Sequence, residues 1–150
     1  MIRSISILLF LTLASCTNYS SQKQLVNPPI LTAIAVEGTG HVITMTAQNV
    51  EIGFSGYRLY QGTSDSAVRG ADPLAGIDCS RPLAVATNAG VAYQVEVKAG
   101  QSAISPGFPN RVCVVPLQLT SGTYIAMRSL ILRDFLSLDT SISSNSLLVP

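Results

Sequence analysis

The stretch SGYRLYQGTS, Ser55 to Ser64, sets large apolar side chains at every second position. Tyr57 and Leu59 fall on one side of an extended chain, and Arg58 and Tyr60 fall on the other. A period of two, bounded by glycine and small polar residues, predicts a β-strand over Gly56 to Gln61 with one face in a core and one toward water.

Working outward, the same period recurs on both sides. Upstream, ILTAIAVE (Ile30 to Glu37) reads as a strand after the Pro28-Pro29 break, Gly38-Thr39-Gly40 as a turn, and HVITMTAQ (His41 to Gln48) as a strand with Ile43, Met45 and Ala47 on its inner face. Downstream, Gly62 to Asp78 loses the alternation and gains Gly, Asp, Ser and Pro, the composition of a long connection. Further strands are predicted at Pro82 to Thr87, Val91 to Lys98, Arg111 to Leu119, Thr123 to Leu132 and Ser143 to Val149. Gln101 to Asn110 and Ser137 to Ser141 read as connections. There is no internal repeat and no convincing amphipathic helix, although Leu130 to Leu138 has the composition for a helical turn. The 150 residues are 47% hydrophobic and 11% charged, which suits one all-β domain with an ample core. The fold class expected is therefore an antiparallel β-sandwich.

The N-terminus carries a different signal. Arg3 supplies a positive start, and Ile5 to Leu13 is an apolar run too short to span a bilayer, so residues 1–15 read as an export leader. Leu13-Ala14-Ser15-Cys16 resembles the lipobox of bacterial lipoproteins. The alternative is an ordinary leader with an incidental cysteine. The resemblance implies cleavage before Cys16, a diacylglycerol thioether on its sulfur and a further acyl chain such as palmitate on its amine. Two or three chains make such an anchor effectively permanent. Residues 16–27 would be the lipidated cysteine and its polar tether, and Thr17 to Asn27 reaches at most about 36 Å. An aspartate directly after the cysteine favours the inner membrane in such lipoproteins; Thr17 implies the outer one. Loss of Arg3 leaves eight basic against eight acidic residues, so no basic face is expected and no nucleic acid partner.

Residues 28–150 resemble a fibronectin type III domain, within the immunoglobulin-like class. The proline-led first strand, HVITMTAQN and FSGYRLYQGTS are similar to strands A, B and C. TSGTYIAMRSL (Thr120 to Leu130) is similar to the turn before strand F, and SISSNSLLVP (Ser141 to Pro150) resembles the closing Ser-x-x-Ser-Asn strand. The resemblance implies that Tyr124 is the tyrosine of a tyrosine corner, its ring filling the sandwich end and its hydroxyl pinning the turn. The chain departs from the family in having no tryptophan, so that Met45 or Ala47 takes the place of the core ring. Arg128 stands where the family keeps an apolar residue, which leaves the inner face of that strand open between it and the Ile125 and Met127 set.

With Cys16 lipidated, Cys79 and Cys113 remain as a pair in an exported chain. A disulfide between them would close a loop of about 35 residues, worth about 3 to 4 kcal/mol; the alternative is two separately buried thiols. Catalytic patterns are missing. His41 is the sole histidine and reads as an exposed turn residue, no nucleophile motif occurs, and Asp65, Asp72 and Asp78 lie where turns require aspartate. VRGAD (Val68 to Asp72) spaces its charges one residue too far apart for an Arg-Gly-Asp loop. No enzyme, metal or cofactor is expected. Of the aromatics, Tyr57 and Tyr93 alternate inward, which leaves Tyr60, with Arg58 on the same face, as the candidate binding position. The expectation is a membrane-anchored, non-catalytic module for adhesion or protein binding; the alternative is a carbohydrate-binding or accessory subunit of an envelope enzyme or assembly complex.

Overall fold

The computed structural model describes residues 27–49, 53–133 and 137–150; the leader, Cys16 and the tether up to residue 26 lie outside them. In chain order the described elements are β1 (Ile30–Glu37), β2 (Gly40–Thr46), β3 (Phe54–Gly62), the short helix α1 (Asp65–Arg69), β4 (Ile77–Asp78), β5 (Ala92–Val97), β6 (Arg111–Val115), β7 (Tyr124–Arg133), β8 (Ser137–Thr140) and β9 (Leu147–Leu148). They form an all-β body of two sheets. One sheet has the order β1-β2-β5-β6; the other has the order β4-β3-β7-β8, with β9 also paired to β7.

The first hairpin follows from its turn. Glu37 pairs with Gly40, and Gly38 takes φ +57°, the left-handed conformation that a two-residue turn demands. Alternation then sorts the side chains as expected. Ile43, Met45 and Ala47 of the first sheet, with Tyr93 and Val95 from β5, meet Tyr57 and Leu59 of β3 and Ile125 and Met127 of β7 in one shared core. Met45 and Ala47 are fully buried in it. On β7 the inner face belongs to Ile125 and Met127, and Arg128 points outward.

Several expected boundaries are corrected. β5 and β6 pair in parallel, so the first sheet is mixed rather than purely antiparallel. The reason is length: residues 98–110 suffice for a crossover, and a parallel pair needs one. Pro82 to Thr87 is not a strand. Leu83 and Val85 do turn to the core, which explains the alternation, but Pro82 has no N–H and only isolated bonds form, such as Ala84 N to Val112 O at 2.8 Å. The connection Gly62 to Asp78 contains α1 and β4. The strand expected to run to Leu119 ends at Val115. Ser137 to Ser141, expected as a connection, holds β8.

The closing strand is regular only at Leu147–Leu148, because serine hydroxyls replace ladder partners before it. Ser141 Oγ accepts from Ser129 N and Ser144 Oγ accepts from Met127 N, both at 2.9 Å. Here the Ser-x-x-Ser spacing has a physical role, since residues three apart reach alternate donors of the neighbouring strand. The two sheets are bridged on both sides of the body. On one side the chain switches sheets: Cys79 N donates to Tyr57 O and Ser80 N to Val114 O, each at 2.9 Å. The expected disulfide, Cys79–Cys113, lies at this switch with its Cα atoms 5.6 Å apart. On the other side the Asn145 amide accepts from Leu31 N and donates to Leu31 O, both at 2.8 Å, as a strand backbone would.

Candidate functional site

Tyr60 is not exposed, contrary to the expectation from alternation. It lies on the outer face of β3 as expected, but residues 63–76 fold back over that face and leave it 3% exposed. Ser64 caps α1 by accepting from Ala67 N at 3.1 Å, and the helix sets Val68 against Tyr60 and Ala126. The Tyr60 hydroxyl donates to Pro73 O at 2.7 Å, and burial pushes its pKa above the ordinary value. Arg58 donates to Asp78 Oδ1 at 2.5 Å and to Pro73 O at 2.7 Å. Its hydrogen bond to Asp78 holds its pKa above the usual arginine value against the cost of burial. Arg128 lies over the Tyr60 ring, 5.1 Å from its centroid, and donates to the carbonyls of Arg69 and Ala71 at the end of α1. Gly76 makes the close fit possible, since a Cβ there would stand 2.5 Å from Arg58 Cγ and 2.8 Å from the Tyr60 ring. The two candidate binding residues therefore hold a cover in place and present no open surface.

Tyr124 opens β7 half-buried, and its ring packs with this outer cluster rather than with the main core. His41, expected at an exposed turn, is 8% exposed. It shares the inner side of β2 with Ile43 and Met45 and pairs with Val97 of β5.

The outer face of the first sheet is covered as well. Glu96 and Arg111 are fully or almost fully buried there, and Arg111 Nη1 donates to Glu96 Oε1 at 2.6 Å. Glu96 also accepts from Ser105 N and Ser105 Oγ at 3.0 Å, and Lys98 Nζ stands 3.1 Å from it. Arg111 Nη2 reaches Glu37 at 2.5 Å, and the Phe108 ring lies 3.5 Å from the guanidinium carbon. Burial pushes the Glu96 carboxyl up, but its bonds from Arg111, Lys98 and Ser105 outweigh burial and hold it below the ordinary range. For Arg111 burial likewise opposes the charge, and Glu37 and Glu96 overcome it. Two carboxylates and two cations balance, so the cluster pins the crossover 98–110 to the sheet.

Alternation marks Glu96 as outward, which in a two-layer body implies water. Nothing in the spacing shows that a downstream loop covers it. The role of Asn145 is similarly hidden, because a side chain standing in for a backbone pair has no periodic signature.

What stays open is β1. Ile30, Thr32, Ala33, Ala35 and Val36 are exposed, Val36 at 63%, and Glu37 is the strand's only charge. Because Glu37 and Gly40 close a two-residue turn as a hydrogen-bonded pair, Ala35 also faces β2, and the amides of Ile34 and Val36 point out of the sheet. Asn145 bonds to the edge at Leu31, and β9 runs close to β1. A separate hollow of about 730 Å³, with Phe54, Leu83, Arg81 and Thr87 in its lining, opens beside the start of β3.

Among the described residues no three His, Cys, Asp or Glu side chains gather as a metal site, and no helix is long and apolar enough to cross a membrane. No family model, curated protein or solved structure matches the chain.

Proposed function

We propose that the protein is a lipid-anchored envelope module that binds a protein partner along β1, without catalysis. The exposed edge of β1 carries this reading. An eight-residue edge strand with apolar side chains and a single charge offers outward amides and carbonyls to an extended segment of a partner. Most edge strands are short, charged or covered, and the opposite edge of this sheet is covered by residues 79–84. Anchoring through Cys16 would confine the module near its membrane and raise the local concentration of partner there. The sheet memberships, with β1, β2 and β5 together and β3, β7 and β9 together, support the fibronectin type III-like arrangement; β6, α1 and the two covering segments are additions to it.

The test is cross-linking in the native envelope with the wild type and with Val36→Lys. Val36 is exposed and its amide faces away from β2, so the substitution leaves the hairpin intact while placing a charge on the edge. The expected result is an unchanged unfolding midpoint and loss of a specific cross-linked partner. The same partners in the same yield would reject the edge as the binding surface. A glycan-binding reading has one observation in its favour: the half-exposed Phe108 ring stands beside Gln94 and Asn110 at a shallow hollow. A glycan array in which binding depends on Phe108 would support it over the edge reading.

A further inference from the structure

The chain leaves the folded body at a fixed point. Asn27 O accepts from Asn49 Nδ2 at 3.1 Å, and Ser129 Oγ stands 2.9 Å from it, with Asn49 and Ser129 both buried. This end of the body, the N-terminal pole, is also where Ile30 faces Thr46, where Thr46 faces Ala92, and where Leu132 N bonds to Gly53 O. Three large apolar side chains are exposed around it: Ile30 at 49%, Val91 at 44% and Leu132 at 42%. They come from both sheets, and each sits at a strand end, where chains leaving a sheet normally turn polar. Among the described residues nearby, Arg133 is paired with Asp139 at 2.6 Å, and Arg81 shares Asp78, at 3.2 Å, with Arg58. Exposed apolar side chains therefore outnumber uncompensated charges among the described residues of this pole.

We propose that this pole rests on the lipid surface, with Ile30, Val91 and Leu132 in the headgroup region. The inference builds on the lipid-anchored reading above. A tether of at most about 36 Å that emerges at this pole keeps it at high effective concentration over the bilayer, so modest apolar burial suffices to hold it there. The opposite pole, with the Gly38-Thr39 turn, then points away, and β1 stands with its edge open to a partner along the membrane normal. Because the contact is apolar, it does not depend on anionic lipid or on salt.

The chain contains no tryptophan, so a single one reports one position. Acylated protein carrying Leu132→Trp, Val91→Trp, Val36→Trp or Leu148→Trp is placed in phosphatidylcholine vesicles with brominated acyl chains. Quenching about threefold or more stronger for the first two than for the last two is expected, and it persists in high salt. Equal or absent quenching at Leu132 and Val91, in protein that floats with the vesicles, overturns the docked pole and leaves the anchor standing. Protein that fails to float, indistinguishable from Cys16→Ser, removes the anchor and the inference with it. Quenching that appears only with anionic lipid also overturns the apolar contact.

Discussion

Glu96→Gln removes the charge at the centre of the cover over the first sheet. The wild-type carboxylate is wholly buried and takes four close donors: Arg111 at 2.6 Å, Lys98 at 3.1 Å and two from Ser105 at 3.0 Å. Glutamine keeps one acceptor oxygen but turns an amide donor toward other donors, and it leaves Arg111 buried with half its counter-charge. Breaking a buried pair by removing one partner costs about 3 to 5 kcal/mol. Glu37 still holds Arg111 from the solvent side, so the lower figure of about 3 kcal/mol is expected. Urea unfolding with the disulfide intact measures it, and hydrogen exchange at the Ser105 amide reports whether the crossover loosens first. The pH dependence has a definite sign. The folded carboxyl titrates below its ordinary value of about 4.3, so its stabilisation is present above that value and is lost as the pH falls through the lower folded one. The gap between wild type and variant should be widest near neutrality and should shrink as the pH falls below about 4. A cost under about 0.5 kcal/mol, or a gap that does not change with pH, would refute the view that this cluster pins the crossover.

Replacing Cys79 and Cys113 together by alanine should lower stability by about 3 to 4 kcal/mol, and added reductant should reproduce that loss in the wild type while leaving the double variant unmoved. Asn145→Ala deletes both bonds to Leu31 and should cost about 1 to 3 kcal/mol, with faster exchange of the Leu31 amide; Asn145→Asp should cost more, because it sets a carboxylate against Leu31 O. Gly76→Ala should displace the cover over Tyr60, seen as a shift in tyrosine fluorescence and as new proteolysis within residues 63–76, whereas Gly90→Ala, where a Cβ meets nothing, serves as the control for altered turn conformation.

The core was legible because it obeys one rule. In HVITMTAQ and GYRLYQ the residues that alternation sets inward, Ile43, Met45, Ala47, Tyr57 and Leu59, are all buried. The outer faces were not legible, and for one reason on both sheets. Period two knows only two layers, so it sets Tyr60 toward water and leaves Glu96 on the outer side, while residues 63–76 and 98–110 add a partial third layer on each side. Their aperiodic composition marks them as connections without saying where they lie. Pro82 to Thr87 misled in the opposite direction, since its alternation is real but its ladder is broken by proline. The pairing of Cys79 with Cys113 follows from parity if the chain is exported, yet its place at the sheet switch depends on contacts far apart in sequence. The candidate surface fared differently again: β1 was read as a strand with the observed limits, but its being an edge is a property of sheet order, which no local pattern encodes.

The placement of the whole module turns on Cys16, and the intact mass of the mature protein purified from its native envelope tests it most directly. The expected product is a chain beginning at Cys16 whose mass exceeds the bare polypeptide by a diacylglycerol and a further acyl group. A free thiol at Cys16, or a chain starting at any other residue, would contradict it.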